Sequence, residues 1–232
     1  MNTTETRTKE LTETGQKVLR ELMQVWLQFE RHLNRVPIIR RLEQGTFTLA
    51  DYKTLLLNLR PQVVEGARWI TRAASSFTSD YTDVRSVVIH HAMDEHKDFE
   101  ILERDFVAVG GDVSEIRGRQ RNIGTEALAA YLFNQASQPN PLDLLGAMFV
   151  IEGLGEKMAG RWAKRIQELT DVSPEATRFL SYHGSNDDVH LNKLYAVLDQ
   201  YVTSDELSYR VVKTARVVAR LYALQLEELD NV

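Results

Sequence analysis

The sequence predicts an all-α bundle, and three observations carry that prediction. Apolar residues recur at three- and four-residue spacing along most of the 232 residues. Only five prolines and twelve glycines punctuate the chain, mostly between those stretches. The period-two alternation and hairpin dipeptides that mark strands are missing. No linker, repeat or low-complexity tract divides the helical stretches, so about seven to eight helices in one domain spanning 1–232 are expected.

The first helix is expected from about Thr8 to Asn34, an amphipathic stretch broken by Pro37. A short helix follows and stops at Gly45. Thr48 with Asp51 three residues on forms a capping-box pattern that opens a long third helix, in which Pro61 should introduce a kink. A fourth runs from about Asp83 to Val109 and ends at Gly110 and Gly111, and a fifth occupies roughly Val113 to Gln135. Asn140, Pro141 and Asp143 form a helix start for the segment carrying Glu152. Ser173 and Pro174 lead into the helix that bears His183, and Thr203 with Glu206 caps the last one.

Composition narrows the function. A net charge of −5 and the lack of any basic stripe beyond Arg117, Arg119 and Arg121 argue against nucleic acid or an acidic membrane as partner. The absence of cysteine removes disulfides, thiolate metal sites and cysteine nucleophiles together. The amino terminus lacks an apolar h-region, and the longest uncharged run, Ala127 to Leu142, is interrupted by polar residues and proline, so a cytoplasmic protein is expected. The last helix is apolar on one face, which would dock on the bundle or on a second copy in a homodimer.

Candidate chemistry sits on four helical stretches. His183, Asp187 and His190 share one helical face, continued by Leu194 and Val197, so two imidazoles and a carboxylate would point into the bundle, where they are costly unless paired or coordinated. The competing reading is an N-cap cluster of Ser185, Asn186 and Asp187. Glu152 interrupts the apolar stripe of Leu145, Met148, Gly155, Ala159 and Trp162. Glu95 interrupts that of Ala92, Phe99, Leu102 and Phe106, with His91 and Asp98 flanking it at i−4 and i+3. Glu65, beside Gly66, is a fourth buried acid, or else a surface partner of Arg68 or Arg72. Carboxylates and imidazoles converging from four helices are what a carboxylate-rich di-iron centre needs.

These residues resemble a known family. "RFLSYHGSNDDVHLNKLYAVL", "NRVPIIRRLEQGTFTLADYKTLLLNLRPQV" and "DEHKDFEILERDFVAVGGD" are similar to the late, early and central segments of the haem-oxygenase-like superfamily, over roughly residues 30 to 200. The combination looks closest to the di-iron oxidases and oxygenases of that fold, the iron-containing redox enzymes. The resemblance implies a haem-oxygenase-like bundle with a non-haem iron pair (manganese being the alternative metal), dioxygen as co-substrate, no haem, and a small amine, amino-acid or fatty-acid-like substrate. It assigns the metal to Glu65, Glu95, Asp98, Glu152, His183, Asp187 and His190, with Glu95 and Asp187 closest to the chemistry. Asp98 stands where the family usually has a histidine. Trp69, Phe149 and Tyr182 are the expected substrate contacts.

Related proteins offer alternatives. Thiaminase-II-like hydrolases need a cysteine that this chain lacks. Haem oxygenase proper needs a proximal histidine, for which His32 is out of step. A metal-free small-molecule-binding protein similar to the quinone-cofactor synthase would use Tyr182, Arg60 and Trp69.

Overall fold

The computed structural model of the chain describes residues 11–229, without the side chains of residues 186–190. Those residues hold eleven α-helices and no strand. Helix α1 (Glu13–Leu33) starts at Thr12, whose hydroxyl accepts from Gly15 N. Helix α2 (Pro37–Gln44) ends at Gly45, which has φ 76°, a left-handed conformation that favours glycine. Helix α3 (Leu49–Ser76) opens on the expected Thr48–Asp51 capping box and contains Pro61, which removes one in-helix donor without ending it.

The expected fourth helix is two. Helix α4 (Thr82–Glu95) and α5 (Asp98–Ala108) are separated by a turn at His96 and Lys97, where the His96 imidazole Nδ1 hydrogen-bonds the Met93 carbonyl. The expected fifth also divides, into α6 (Val113–Gly118) and α7 (Ile123–Ala136), because the Asn122 side chain caps a new start by accepting from Thr125 N. Helix α8 (Leu144–Leu154) passes through a π-helical segment, Gly155–Ala159, into α9 (Gly160–Thr170). A 3₁₀ turn at Pro174–Thr177 leads into α10 (Arg178–Tyr201). Ser204 caps α11 (Asp205–Glu227), one residue beyond the expected Thr203. The helix count exceeds the expected seven or eight because long periodic stretches are broken at the 96–97 turn, after Gly118 and at the π-helical segment.

The rods pack as one hydrophobic core. Helix α11 lies on α8, α7 and α1, so its apolar face docks on the bundle, while α3 packs on α4, α7 and α5. Helix α10 crosses α8, the π-helical segment and α9. At that crossing Gly184 meets Gly160 backbone to backbone: a Cβ on Gly184 would lie 2.6 Å from Gly160 N. The missing side chain of Gly184 is what lets the two helices touch. Asp105 fixes the start of α10 by accepting from Phe179 N at 2.9 Å. No described helix is long and apolar enough to cross a membrane.

Candidate metal centre

The end of α4, the start of α5, the last turn of α8 and the first turns of α10 converge on an acid–imidazole cluster in which His91, Asp98 and Glu152 are buried and Glu95 and His183 partly buried. Nε2 of His91 lies 3.1 Å from Oε1 of Glu152, both side chains being almost fully buried. Nε2 of His183 lies 3.2 Å from Oδ2 of Asp98 and 4.0 Å from Oε2 of Glu95. Two ligand-capable groups result, His91–Glu95–Glu152 and Glu95–Asp98–His183, and within each the donor atoms lie no more than 4.8 Å apart. Glu95 belongs to both.

The local folding explains this convergence. The turn at 96–97 closes α4 on Glu95 and opens α5 on Asp98, so two acids flank one chain reversal. Glu152 sits one turn before the π-helical segment, where an extra residue per turn shifts the phase of the side chains that follow. On α10, Nδ1 of His183 bonds the Phe179 carbonyl at 2.9 Å. A carbonyl only accepts, so Nδ1 carries a proton and Nε2 faces Asp98 and Glu95.

The donor set fits a metal. Three carboxylates and two imidazole nitrogens are oxygen and nitrogen ligands of the kind that suit iron and manganese. Oδ2 of Asp98 is buried and makes no hydrogen bond of good geometry, the nearest polar group being His183 Nε2 at 3.2 Å, so the oxygen is placed to take a cation. The Phe179 carbonyl behind His183 is the outer partner that fixes a ligating imidazole.

The cluster adjoins a cavity of about 90 Å³, whose walls are mainly apolar side chains of α3, α8, α9, α10 and α11, Trp69, Met148 and Ile151 among them. His91, Glu95, Glu152 and His183 all line it. Among the described residues, its lining includes no lysine or arginine.

Of the sequence-predicted residues, Glu95, Asp98, Glu152 and His183 come together, and Trp69 lines the adjoining cavity. The side chains of Asp187 and His190 lie outside the described residues. Glu65 is buried but turns to a different neighbourhood: Arg121 bonds it closely and Arg68 reaches it at 2.8 Å, so its charge is met by guanidinium groups. Phe149 and Tyr182 do not line the cavity. Each stands next in sequence to an inward residue, Met148 and His183, which rotates it about 100° round its helix, burying Phe149 in the core and leaving Tyr182 exposed. Arg60 is held by Glu103 at 2.9 Å, and His32 by Glu227 at 2.6 Å. Sequence reasoning placed His91 beside Glu95 but gave it no ligand role. The signal was present, since i−4 spacing stacks it on the same face of α4.

The fold and this cluster together define a haem-oxygenase-like protein. Residues 54–223 match the family described as iron-containing redox enzyme, and the chain belongs to that family. Among solved structures it is similar to a domain of unknown function with a heme oxygenase-like fold from Shewanella denitrificans OS217, with a TM-score of 0.83, 22% identity and 91% of each chain covered. It is also similar to a TenA homologue protein from P. horikoshii OT3, with a TM-score of 0.73 and 15% identity over 94% of this chain and 98% of that one. A TenA homolog from Pseudomonas syringae pv. tomato gives a TM-score of 0.71 and 11% identity over 97% and 99%. No curated protein matches the chain.

Proposed function

We propose that the protein is a cytoplasmic non-haem iron oxygenase or oxidase that binds two iron ions around Glu95. The observation that carries the reading is the pair of overlapping donor groups, His91–Glu95–Glu152 and Glu95–Asp98–His183, four of whose residues line a mainly apolar cavity. His91 and Glu152 would hold one ion, Asp98 and His183 the other, and Glu95 both, with Asp187 and His190 of α10 completing the set. Membership of the iron-containing redox enzymes supports iron as the metal. When bound, iron supplies the capacity to react with dioxygen.

The chain's own residues supply position and environment. The Phe179 carbonyl holds the His183 ring in one tautomer, and the turn at 96–97 fixes the two acids of the second group relative to each other. The walls from Trp69, Met148 and Ile151 exclude bulk water and seat the hydrocarbon part of a small amine, amino-acid or fatty-acid-like substrate against the metal end.

The test is oxygen uptake by the full chain after anaerobic loading with ferrous iron. Uptake should depend on iron, stop with chelator and disappear in His91→Ala. Oxygen uptake unaffected by chelator would instead indicate metal-free chemistry.

A further inference from the structure

Gly66 stands in the middle of α3 with no local reason to be a glycine. Its backbone is not left-handed, and a Cβ built on it would meet nothing within 4 Å. At other helical positions the reason is visible: a Cβ on Gly124 or Gly146 would run into the backbone of α11, and one on Gly184 into Gly160. Glycine inside a helix is less stable than alanine, so at 66 the chain forgoes stability that a single methyl group would supply without a clash. Such a loss is expected where the space itself serves function.

The open space beside Gly66 is the cavity. Each helical residue turns by about 100°, and Leu55, Leu59, Gln62, Val63, Trp69 and Ile70, which line the cavity from α3, fall within an arc of about 120°. Gly66 lies at the centre of that arc and lines the same cavity. Helices α3 and α4 pack on each other and are joined only by residues 77–81, so they run antiparallel. Gly66 is ten residues before Ser76, and Ala92 is ten after Thr82, which sets Gly66 abreast of the α4 turn carrying His91 and Glu95. Both of those ligand candidates line the cavity as well. At about 10–15 Å³ for each water-sized position, the four carbons added by Gly66→Leu would claim about half of the 90 Å³.

We propose that Gly66 is the specificity-determining position of this cavity. Its bare backbone makes room, abreast of His91 and Glu95, for the hydrocarbon body of a ligand of about six to nine heavy atoms. The inference deepens the oxygenase reading by naming the position that limits substrate bulk. It rests on that reading only in treating the ligand as substrate, since filling the cavity needs no metal.

Calorimetric titration of ethylbenzene into the full chain, with chelator and with iron, tests the proposal alongside thermal melts. Gly66→Leu should weaken ethylbenzene at least tenfold, and Gly66→Ala by no more than about threefold while raising the melting temperature by about 1–4 °C. Gly118, at the end of α6, has equally open space but lies outside the cavity lining, so Gly118→Leu should leave binding within about twofold. Should Gly66→Leu fail to fold, Gly66→Met, with its flexible side chain, carries the same comparison. Wild type that binds no ethylbenzene, binding that survives Gly66→Leu within twofold or falls equally in Gly118→Leu, or a Gly66→Ala chain that melts below wild type would overturn the proposal. Ethylbenzene binding lost in Gly66→Leu, in a chain that takes up no iron, would leave this inference standing and remove the oxygenase reading. Iron uptake with ethylbenzene binding indifferent to Gly66→Leu would do the reverse.

Discussion

Replacing Glu95 with glutamine keeps the side-chain volume while removing one negative charge from both donor groups at once. Glu95 approaches Glu152 in one group and Asp98 in the other, with donor atoms no more than 4.8 Å apart. At an effective dielectric near 20, unit charges at that distance repel by about 3.5 kcal/mol for each pair. Solvent relaxation and the neighbouring imidazoles of His91 and His183 reduce this, so Glu95→Gln should stabilise the metal-free protein by about 2 kcal/mol. For a chain of this size that raises the melting temperature by about 4–8 °C. Metal addition should act in the opposite sense, because wild type is stabilised by ions that bind only the folded state and the variant has lost the shared ligand. Differential scanning fluorimetry in chelator and in anaerobic ferrous iron reads both effects. A variant that melts lower than wild type in chelator, yet keeps the full iron-induced shift, would refute the argument that Glu95 is a partly buried, shared metal ligand.

Other predictions address the supporting structure. Glu65→Gln should leave iron stoichiometry unchanged and cost about 2 kcal/mol in urea unfolding, since it weakens charge-assisted bonds from Arg121 and Arg68. Gly184→Ala drives a Cβ to 2.6 Å from Gly160 N, which should cost about 1–3 kcal/mol and weaken iron binding by displacing the His183 helix, as read by denaturant midpoint and iron titration. Burial pushes the Asp105 carboxyl up to about 6 from 3.8, although bonds from the α10 backbone pull it down. The folded state therefore holds this proton more tightly than the unfolded one, so its contribution is lost as pH rises from about 4 to about 6 and is flat above. The loss is on the order of 3 kcal/mol. Asp105→Asn keeps an oxygen for Phe179 N and should flatten that part of the stability profile, measured by urea unfolding at several pH values across the window.

The sequence made the bundle legible wherever a helix boundary has a chemical marker, as at Thr48 with Asp51 and at Gly45. It hid the turn at 96–97, because a histidine side chain bonding its own helix has no compositional signature, and so one helix was expected where two meet at the cluster. Glu152 was readable as an acid in an apolar stripe. Glu65 obeyed the same rule and was misassigned, because burial of a carboxylate is equally well explained by Arg121, which lies 56 residues away in the chain. His91 shows the reverse case, a correct spacing whose meaning depends on Glu152 arriving from another helix.

Iron-57 titration of the full chain under anaerobic conditions, followed by oxidation and combined Mössbauer and electron paramagnetic resonance spectra, tests the shared-ligand centre most directly. The account predicts two irons per chain, oxidising to an exchange-coupled pair without the resonance of an isolated ferric ion. One iron per chain with that isolated-ion signal, or none retained, would contradict it.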